Sequence, residues 1–446
     1  MKFKLTALLL LCATGMAMAQ KKIWTLEECV TYAVENNLSI QQFELDLENA
    51  TIDKSDAIGA FLPNLNGTLN GQSNTGLSFD PTNNQPVNTT QITSSGSVTS
   101  SAILFDGLRN VHRLNRAKLN AVANQYRLDD LVNDIRLNVA ISYLRILSSK
   151  EAAKVARALY AVTEQDLIRT RELVESGVVA RGDLLEIEAT AATREQQIIN
   201  AENDVLINRI SLAQLLQITD YENFDISDVD FEVPAASILK NSPKTIFDKA
   251  LTYWYETKFF ETNVELAEKD LALAKGAASP TLSAFVNYNT RYSDQFLDPI
   301  TGQVIPFKEQ LWINDGIAFG AQINIPVFNG WSTRNNIKRS QISVKKAELD
   351  LEQNKLDLET NINQAYVDVV NSSKAYDAAV KTREARILAL DYSKERFDVG
   401  IMNSFDYSQA QARVDNAEAE VIRTKYDYVF RIKVLEFYFG LPIVID

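Results

Sequence analysis

The sequence predicts a mainly α chain with β, one structural unit written twice, whose four strands form part of a β-barrel that several copies must share. Three observations carry this expectation. Leu104-Phe105-Asp106-Gly107 returns 223 residues later as Val327-Phe328-Asn329-Gly330. Residues 109–175 and 333–398 contain neither Pro nor Gly. Ahead of each of these stretches lie two segments that alternate apolar with polar side chains.

The first 19 residues have the order of a secretory leader. Lys2 and Lys4 precede the apolar run Leu5 to Ala13, and Ala17-Met18-Ala19 is a small-x-small cleavage pattern. The run is too short to span a bilayer. Cys12 follows Leu9-Leu10-Leu11, without the small residue that a lipidation site places before its Cys. Only Cys29 then remains, so no disulfide within the chain is possible. It lies in an apolar helical pattern, the setting of a core thiol. The 45 basic and 58 acidic residues give a net charge of −13, which argues against nucleic acid as a partner. After residue 19 no run of 18 apolar residues occurs. An exported chain of this kind can still cross a membrane as a β-barrel, whose signal per strand is weak.

The repeat sets the organisation. Gly177 and Asp183 match Gly400 and Asp406, again 223 residues apart. Gly59 and Pro63 match Gly276 and Pro280 at 217, and Asp80-Pro81 matches Asp298-Pro299 at 218. The register changes inside the strand-loop segments, where insertions are tolerated. The expected first repeat covers 20–218: a helix, strands near 64–79 and 91–105, a long helix 109–175 and a helix 183–217. An acidic linker covers 219–244. The second repeat covers 245–446: a helix, strands near 281–296 and 313–328, a long helix 333–398 and a helix 405–440.

Each long helix is rich in Ala, Leu, Glu, Lys, Arg and Gln and would run roughly 100 Å. In the second, Leu351, Leu358 and Ala365 recur every seven residues, and Leu349, Leu356 and Val370 lie on another track. Two seams on one helix require a neighbour on each side. The strands follow period two. Ile317, Phe319, Ala321, Ile323, Ile325 and Val327 share a face, as do Leu282, Ala284, Val286 and Tyr288, with Phe285 out of step. Leu65, Leu69, Leu77 and Phe79 oppose Asn66, Thr68, Asn70, Gln72 and Asn74. Four strands cannot close, and open edges are forbidden in lipid. Two copies would give about 8 strands and a filled bore, three about 12 and a wider one. A trimer therefore suits anything that conducts.

With its twofold repeat, its Phe-Asp/Asn-Gly junctions, its glycine-plus-six-aspartate turns and its opening Trp24-Thr25-Leu26-Glu27-Glu28-Cys29, the mature chain resembles the TolC family of outer membrane efflux proteins. The resemblance implies a homotrimer with a 12-stranded barrel in outer-membrane lipid and a long periplasmic α-helical barrel. It implies an equatorial belt that includes the linker. It also implies a passive exit duct for efflux or type I secretion, docking to a periplasmic adaptor (membrane fusion) protein and an inner-membrane pump. The competing reading is a membrane-anchored trimeric coiled-coil structural or adhesive protein. Strands that interrupt the helices in both halves favour the duct.

Two sets of candidate residues follow. Gly177 and Gly400 can take the left-handed conformation that ends a helix, and Asp183 and Asp406 can cap or charge the next one. The resemblance adds that Gly177, Val178, Val179, Gly400, Ile401 and Met402 form the adaptor-docking tip. It adds that Asp183 and Asp406 line a periplasmic gate, as a carboxylate ring that favours cations. The best-known gate pattern has Arg where this chain has Met402 and an acid where it has Gln409, so the ion-pair latch of that pattern is not written here. Phe105, Asp106, Gly107, Phe328, Asn329 and Gly330 form the strand–helix junctions. His112 is the only histidine, no Gly-Lys-Ser/Thr phosphate loop occurs, and the paired acids suit solvated helix faces. Accordingly no catalytic residue, metal or cofactor is expected, and the energy for transport must come from a partner.

Overall fold

The computed structural model describes residues 22–79, 84–228, 233 and 236–442. The leader and Asp80-Pro81 lie outside them. In chain order the elements are β1 (Lys22–Trp24), α1 (Leu26–Asn36), α2 (Leu38–Gly59), β2 (Asn64–Phe79), β3 (Pro86–Phe105), α3 (Arg109–Glu175) and α4 (Arg181–Leu215). After them come β4 (Phe224–Ile226), a 3-10 turn (Ser237–Lys240), α5 (Pro243–Tyr253), α6 (Tyr255–Gly276), β5 (Thr281–Ser293), α7 (Phe307–Ile313), β6 (Gly316–Asn324), α8 (Ser332–Asp398) and α9 (Ser404–Tyr438). Each repeat opens with two helices rather than one. The first break falls at Asn37, whose backbone turns extended while its side chain accepts the Ser39 N–H at 2.9 Å. One residue thus stops one helix and starts the next. The second break is at Trp254, also extended.

The chain divides into two compact units. The first combines residues up to 44, 126–257 and those from 353 onward. Its α1 begins with a capping box between Thr25 and Glu28 and buries Leu26, Cys29 and Ala33. Burial pushes the Cys29 thiol up to about 12, so it is an inert core group. A short parallel pair, β1 with β4, joins the N-terminus to the linker. The Tyr143 hydroxyl lies 2.8 Å from Ser227 Oγ, and Lys150 bridges Asp225 at 2.9 Å and Asp228 at 2.8 Å. An apolar cluster joins Leu358, Ile362, Ala365 and Val369 of α8 to Tyr428, Ile432 and Leu435 of α9 and to Ile246 and Ala250 of α5. The track holding Leu358 and Ala365 is therefore buried within the chain. Leu349 and Leu356, on the other track, are 69% and 57% exposed.

Arg194 ties this unit together from inside. Its guanidinium donates to both carboxylate oxygens of Asp415 at 2.8 and 3.1 Å, to the Leu159 carbonyl at 2.7 Å and to the Thr163 hydroxyl. Three helices, α3, α4 and α9, meet on one buried side chain. Burial raises the Asp415 carboxyl, and Arg194 opposes that rise.

The second unit, 45–125 and 258–352, holds a four-stranded antiparallel sheet in the order β2-β3-β5-β6. Asn64 pairs with Ser101 in one hairpin and Thr281 with Asn324 in the other. The registers of Leu65↔Ser100, Val98↔Tyr288 and Val286↔Phe319 place Leu65, Leu69, Val98, Val286, Tyr288, Phe319 and Ile323 on one face. Among these Leu65, Leu69, Val98, Val286, Phe319 and Ile323 are exposed. The other face is polar, with Asn287 Nδ2 donating to Thr99 Oγ1 at 2.6 Å. Phe285 and Ile103 are apolar on that face, and the Phe285 ring covers Gly320. Strand β3 starts five residues before the alternation predicts, and β6 is shorter than 313–328. Pro326 has no N–H to give the ladder, and 307–313 coils into α7. Gln310 of α7 bonds both backbone groups of Ser293 at 2.9 Å, and Asn314 bonds the Arg291 carbonyl at 3.0 Å. These side-chain amides occupy the edge of β5 that β6 leaves bare.

Two tests follow. Arg194→Ala strands the buried Asp415 carboxylate and should cost about 3–5 kcal/mol in denaturant unfolding. Asp130 supplies the second. Burial chiefly, then Asp134 and Glu256, raise its carboxyl to about 6. A folded pKa above the unfolded value near 3.9 stabilises the fold at low pH. That contribution fades as pH rises through about 6. Asp130→Asn should therefore flatten the fall in melting temperature between about pH 4 and pH 7.

Candidate functional site

The two glycine-led turns come together in the first unit. Helix α3 ends as Gly177 takes φ +75° and the Val178 N–H reaches the Leu173 carbonyl at 2.9 Å. Helix α8 ends the same way, with Gly400 at φ +76° and the Ile401 N–H on the Arg396 carbonyl at 2.9 Å. Both are closed by a 6→1 bond that only a left-handed residue permits cheaply. A cavity of about 710 Å³ lies between the turns, lined by Val178, Val179, Asp183, Gly400, Ile401 and Met402 among others. Val178 and Ile401 are 70% and 69% exposed, while Val179 and Met402 are half-buried.

The two aspartates have different surroundings. Asp183 reaches across to the opposite turn, where its Oδ1 accepts from the Ser404 hydroxyl and, at 3.4 Å, from the Ser404 N–H. Asp406 is exposed, and its own N–H donates to Asn403 Oδ1 at 2.7 Å. The N-cap of α9 is thus Asn403, and α4 starts at Ala180 with no side-chain cap. Both aspartates sit in first turns, where their charge suits the helix end, but neither is the cap of its own helix.

Residues outside the sequence-derived set hold the pair of turns in place. Asp166 of α3 accepts from the Tyr407 hydroxyl at 3.0 Å and from Gln411 at 2.9 Å. Phe397 stacks on Tyr407 with ring centres 4.8 Å apart. Burial and the Asp166 carboxylate hold the Tyr407 phenol above its ordinary range. Arg169 bridges to Asp398 at 2.9 Å. These are pairings between distant segments, and nothing in local spacing announces them.

The junction residues form the other group, in the second unit. Gly107 and Leu108 take φ +72° and +63°, and Gly330 and Trp331 take +63° and +66°. Asp106 is buried and accepts the Asn110 N–H at 3.0 Å, and Asn329 hydrogen-bonds Thr333. Phe105 and Phe328 are exposed, the latter edge-on to Trp331. Each junction is therefore a strand end, two left-handed residues and a side-chain cap on the long helix. Gly107 packs so closely on Gly276 that a Cβ on Gly276 would lie 2.7 Å from the Gly107 carbonyl oxygen. Among the described residues no group of His, Cys, Asp and Glu could hold a metal ion, and no helix is long and apolar enough to cross a membrane.

Known proteins resemble this chain along most of its length. The model of a family described as outer membrane efflux protein matches residues 30–216 and 260–440. The chain is 23% identical to the outer membrane protein TolC of Vibrio cholerae over 302 residues, 66% of this chain and 65% of that protein. The match thus spans just under two thirds of that relative. It is 22% identical to the outer membrane efflux protein BepC of Brucella suis over 409 residues, 91% of this chain and 83% of that one. Its fold matches a crystal structure of a membrane protein from Pseudomonas aeruginosa, with TM-score 0.79 at 16% identity, covering 93% of this chain and 90% of that one.

The asymmetry of the two aspartates is testable. Asp183→Ala removes the acceptor of Ser404 and should destabilise the paired turns by about 1–2 kcal/mol. Asp406→Ala loses only a helix-end charge and should cost less than about 1 kcal/mol. Hydrogen exchange of the amides at 401–407 separates the two, with faster exchange for the first variant alone.

Proposed function

The chain belongs to the outer membrane efflux protein family, and from that premise we propose that three copies form a passive exit duct through the outer membrane. The observation that carries the reading is the sheet of the second unit. It has one exposed apolar face, and both of its outer strands, β2 and β6, lack an outer partner among the described residues. Lipid can cover the face, but it cannot satisfy the edges. The four strands alternate in direction, so β6 of one copy meets β2 of the next antiparallel, and a ring continues the pattern. Two copies give a bore filled by side chains, and three give about 12 strands and a wider lumen.

The polar face, with its Asn, Gln, Thr and Ser residues, lines that lumen. The helices continue the duct into the periplasm, and the exposed seam through Leu349 and Leu356 lies against another copy. The paired turns form the tip that meets the adaptor. There Val178, Val179, Ile401 and Met402 present apolar surface to a periplasmic adaptor, which joins the duct to an inner-membrane pump that supplies energy. Asp406, exposed and threefold repeated, provides a carboxylate ring at the gate, and Asp183 holds the two turns in one arrangement. Cations are favoured at such a ring.

The detergent-extracted protein should have the mass of three chains after correction for bound detergent. In planar bilayers it should conduct, and Asp406→Asn should lower the preference for cations without changing that mass. A monomer would remove the shared barrel. A trimer without conductance would return the chain to a structural, coiled-coil role.

A further inference from the structure

We infer that helix α7 is a lipid-interface anchor, lying on the apolar side of the sheet with Trp312 and Ile313 at the boundary between headgroups and acyl chains of the outer leaflet. This rests on the reading above that the apolar face of the sheet meets lipid, and it adds a helix to that surface.

Three contacts fix the side on which α7 lies. Tyr288, Thr290 and Tyr292 share the apolar face of β5, in unbroken register with Val98, Gly96 and Ser94. The Thr290 hydroxyl donates to the Leu311 carbonyl at 2.8 Å. The Tyr292 ring stands edge-on to Phe307 with centres 5.1 Å apart. The Tyr288 hydroxyl donates to Asp315, just past the helix, at 3.3 Å. Residues 307, 311 and 315 are spaced by four, so one side of the helix faces the strand. Gln310 and Asn314 lie on that same side and hold the edge of β5. With 307 beside 292 and 315 beside 288, the C-terminal turn of α7 is the one nearer the strand feet.

The opposite side of the helix carries Lys308, Glu309, Trp312 and Ile313, and it is divided along its length. Lys308 and Glu309 stand on the turn farther from the feet, Trp312 and Ile313 on the nearer one. Trp312 is 75% exposed and Ile313 is 56% exposed. On β6 the exposed Ile317, Phe319 and Ile323 continue this apolar strip toward the feet. A helix rooted by the buried Gln310 amide cannot roll these side chains inward, and water penalises leaving them out. Charge outermost with Trp one turn below it is the order of a membrane interface, where amphipathic rings sit at headgroup level.

The height agrees. From Thr281 to Tyr292, β5 climbs about 25 Å along the membrane normal, at roughly 3.3 Å per residue and a tilt of about 45°. That is the height of the apolar band of an outer-membrane barrel, which carries aromatic girdles at both margins. Phe328 and Trp331 stand exposed at the feet, and Tyr292, Phe307 and Trp312 stand at the other margin. The first hairpin has no such helix, since β2 and β3 run on paired to Phe79 and Pro86. Strand pairing alone does not call for α7.

The test attaches a nitroxide to cysteines introduced one at a time into the full chain, reconstituted in phospholipid vesicles. It compares collisions with oxygen, which concentrates in hydrocarbon, and with a water-soluble nickel chelate. The unmodified chain, whose Cys29 is buried, should take no label. Leu69→Cys and Asn70→Cys, neighbours on opposite faces of β2, calibrate the sheet: oxygen should dominate at 69 and the chelate at 70. Trp312→Cys and Ile313→Cys should give an oxygen-to-chelate ratio several-fold above that at 70, and Lys308→Cys a lower ratio than either. A readout without cysteines uses brominated lipid, which should quench the tryptophan emission of the unmodified chain. Trp312→Phe should remove a share of that quenching. Chelate dominating at 312 and 313 would put α7 in water, over the mouth or clear of the bilayer. Labels shielded from both reagents would mean that protein covers it, a second copy included. Either result, or quenching unchanged in Trp312→Phe, overturns the anchor and leaves the duct standing. Chelate dominating at 69 would sink the lipid-facing sheet itself.

Discussion

A backbone group in hydrocarbon must be paired, because nothing in lipid can replace water as its partner. In the proposed duct that constraint organises the sheet of the second unit. Strands β2, β3, β5 and β6 pair with one another and, among the described residues, leave one N–H and C=O row bare at each outer edge. Where β6 stops short, the amides of Gln310 and Asn314 take its place along β5. The chain covers the stretch that a loop can reach and leaves uncovered the stretch that only another strand can fill. The apolar face makes the same demand from a different direction. Leu69, Phe319 and Ile323 are exposed with no core beneath them, an arrangement that water penalises and lipid does not.

The first unit solves the opposite problem. In the proposed duct its helices lie in water, so each needs only narrow apolar seams, and polar side chains decide which seams meet. Arg194 shows how. It is 3% exposed and, from α4, collects a carbonyl and a hydroxyl of α3 and a carboxylate of α9, so only one alignment of the three helices leaves no charge stranded. Asp166 and Asp183 act similarly at the paired turns, each tying one repeat to the other. Apolar seams permit neighbouring registers one heptad apart, and these single polar links do not.

Period and punctuation carried much of this fold into view. Absence of Pro and Gly marked the two long helices, and period two marked the strands, because both are properties of consecutive residues. The features that escaped depend on distant groups. The alternation of 313–328 runs past Pro326, but the ladder cannot, and α7 forms where Gln310 finds Ser293. Asn37 breaks a helix that the apolar pattern carries straight through. At the turns, the glycines were legible because φ near +75° is a local demand. Asp183 and Asp406 look equivalent in sequence and differ in the fold, since Ser404 follows a cap, Asn403, that has Ala180 as its opposite number.

Duplication explains why so much of the pairing can be read at the ends of the strands and not in their loops. The two halves lose register between Pro63 and Gly107, yet the two hairpins pair identically when counted from those ends. Length varies where loops tolerate it, and the strand feet are anchored by proline before and by paired left-handed residues after.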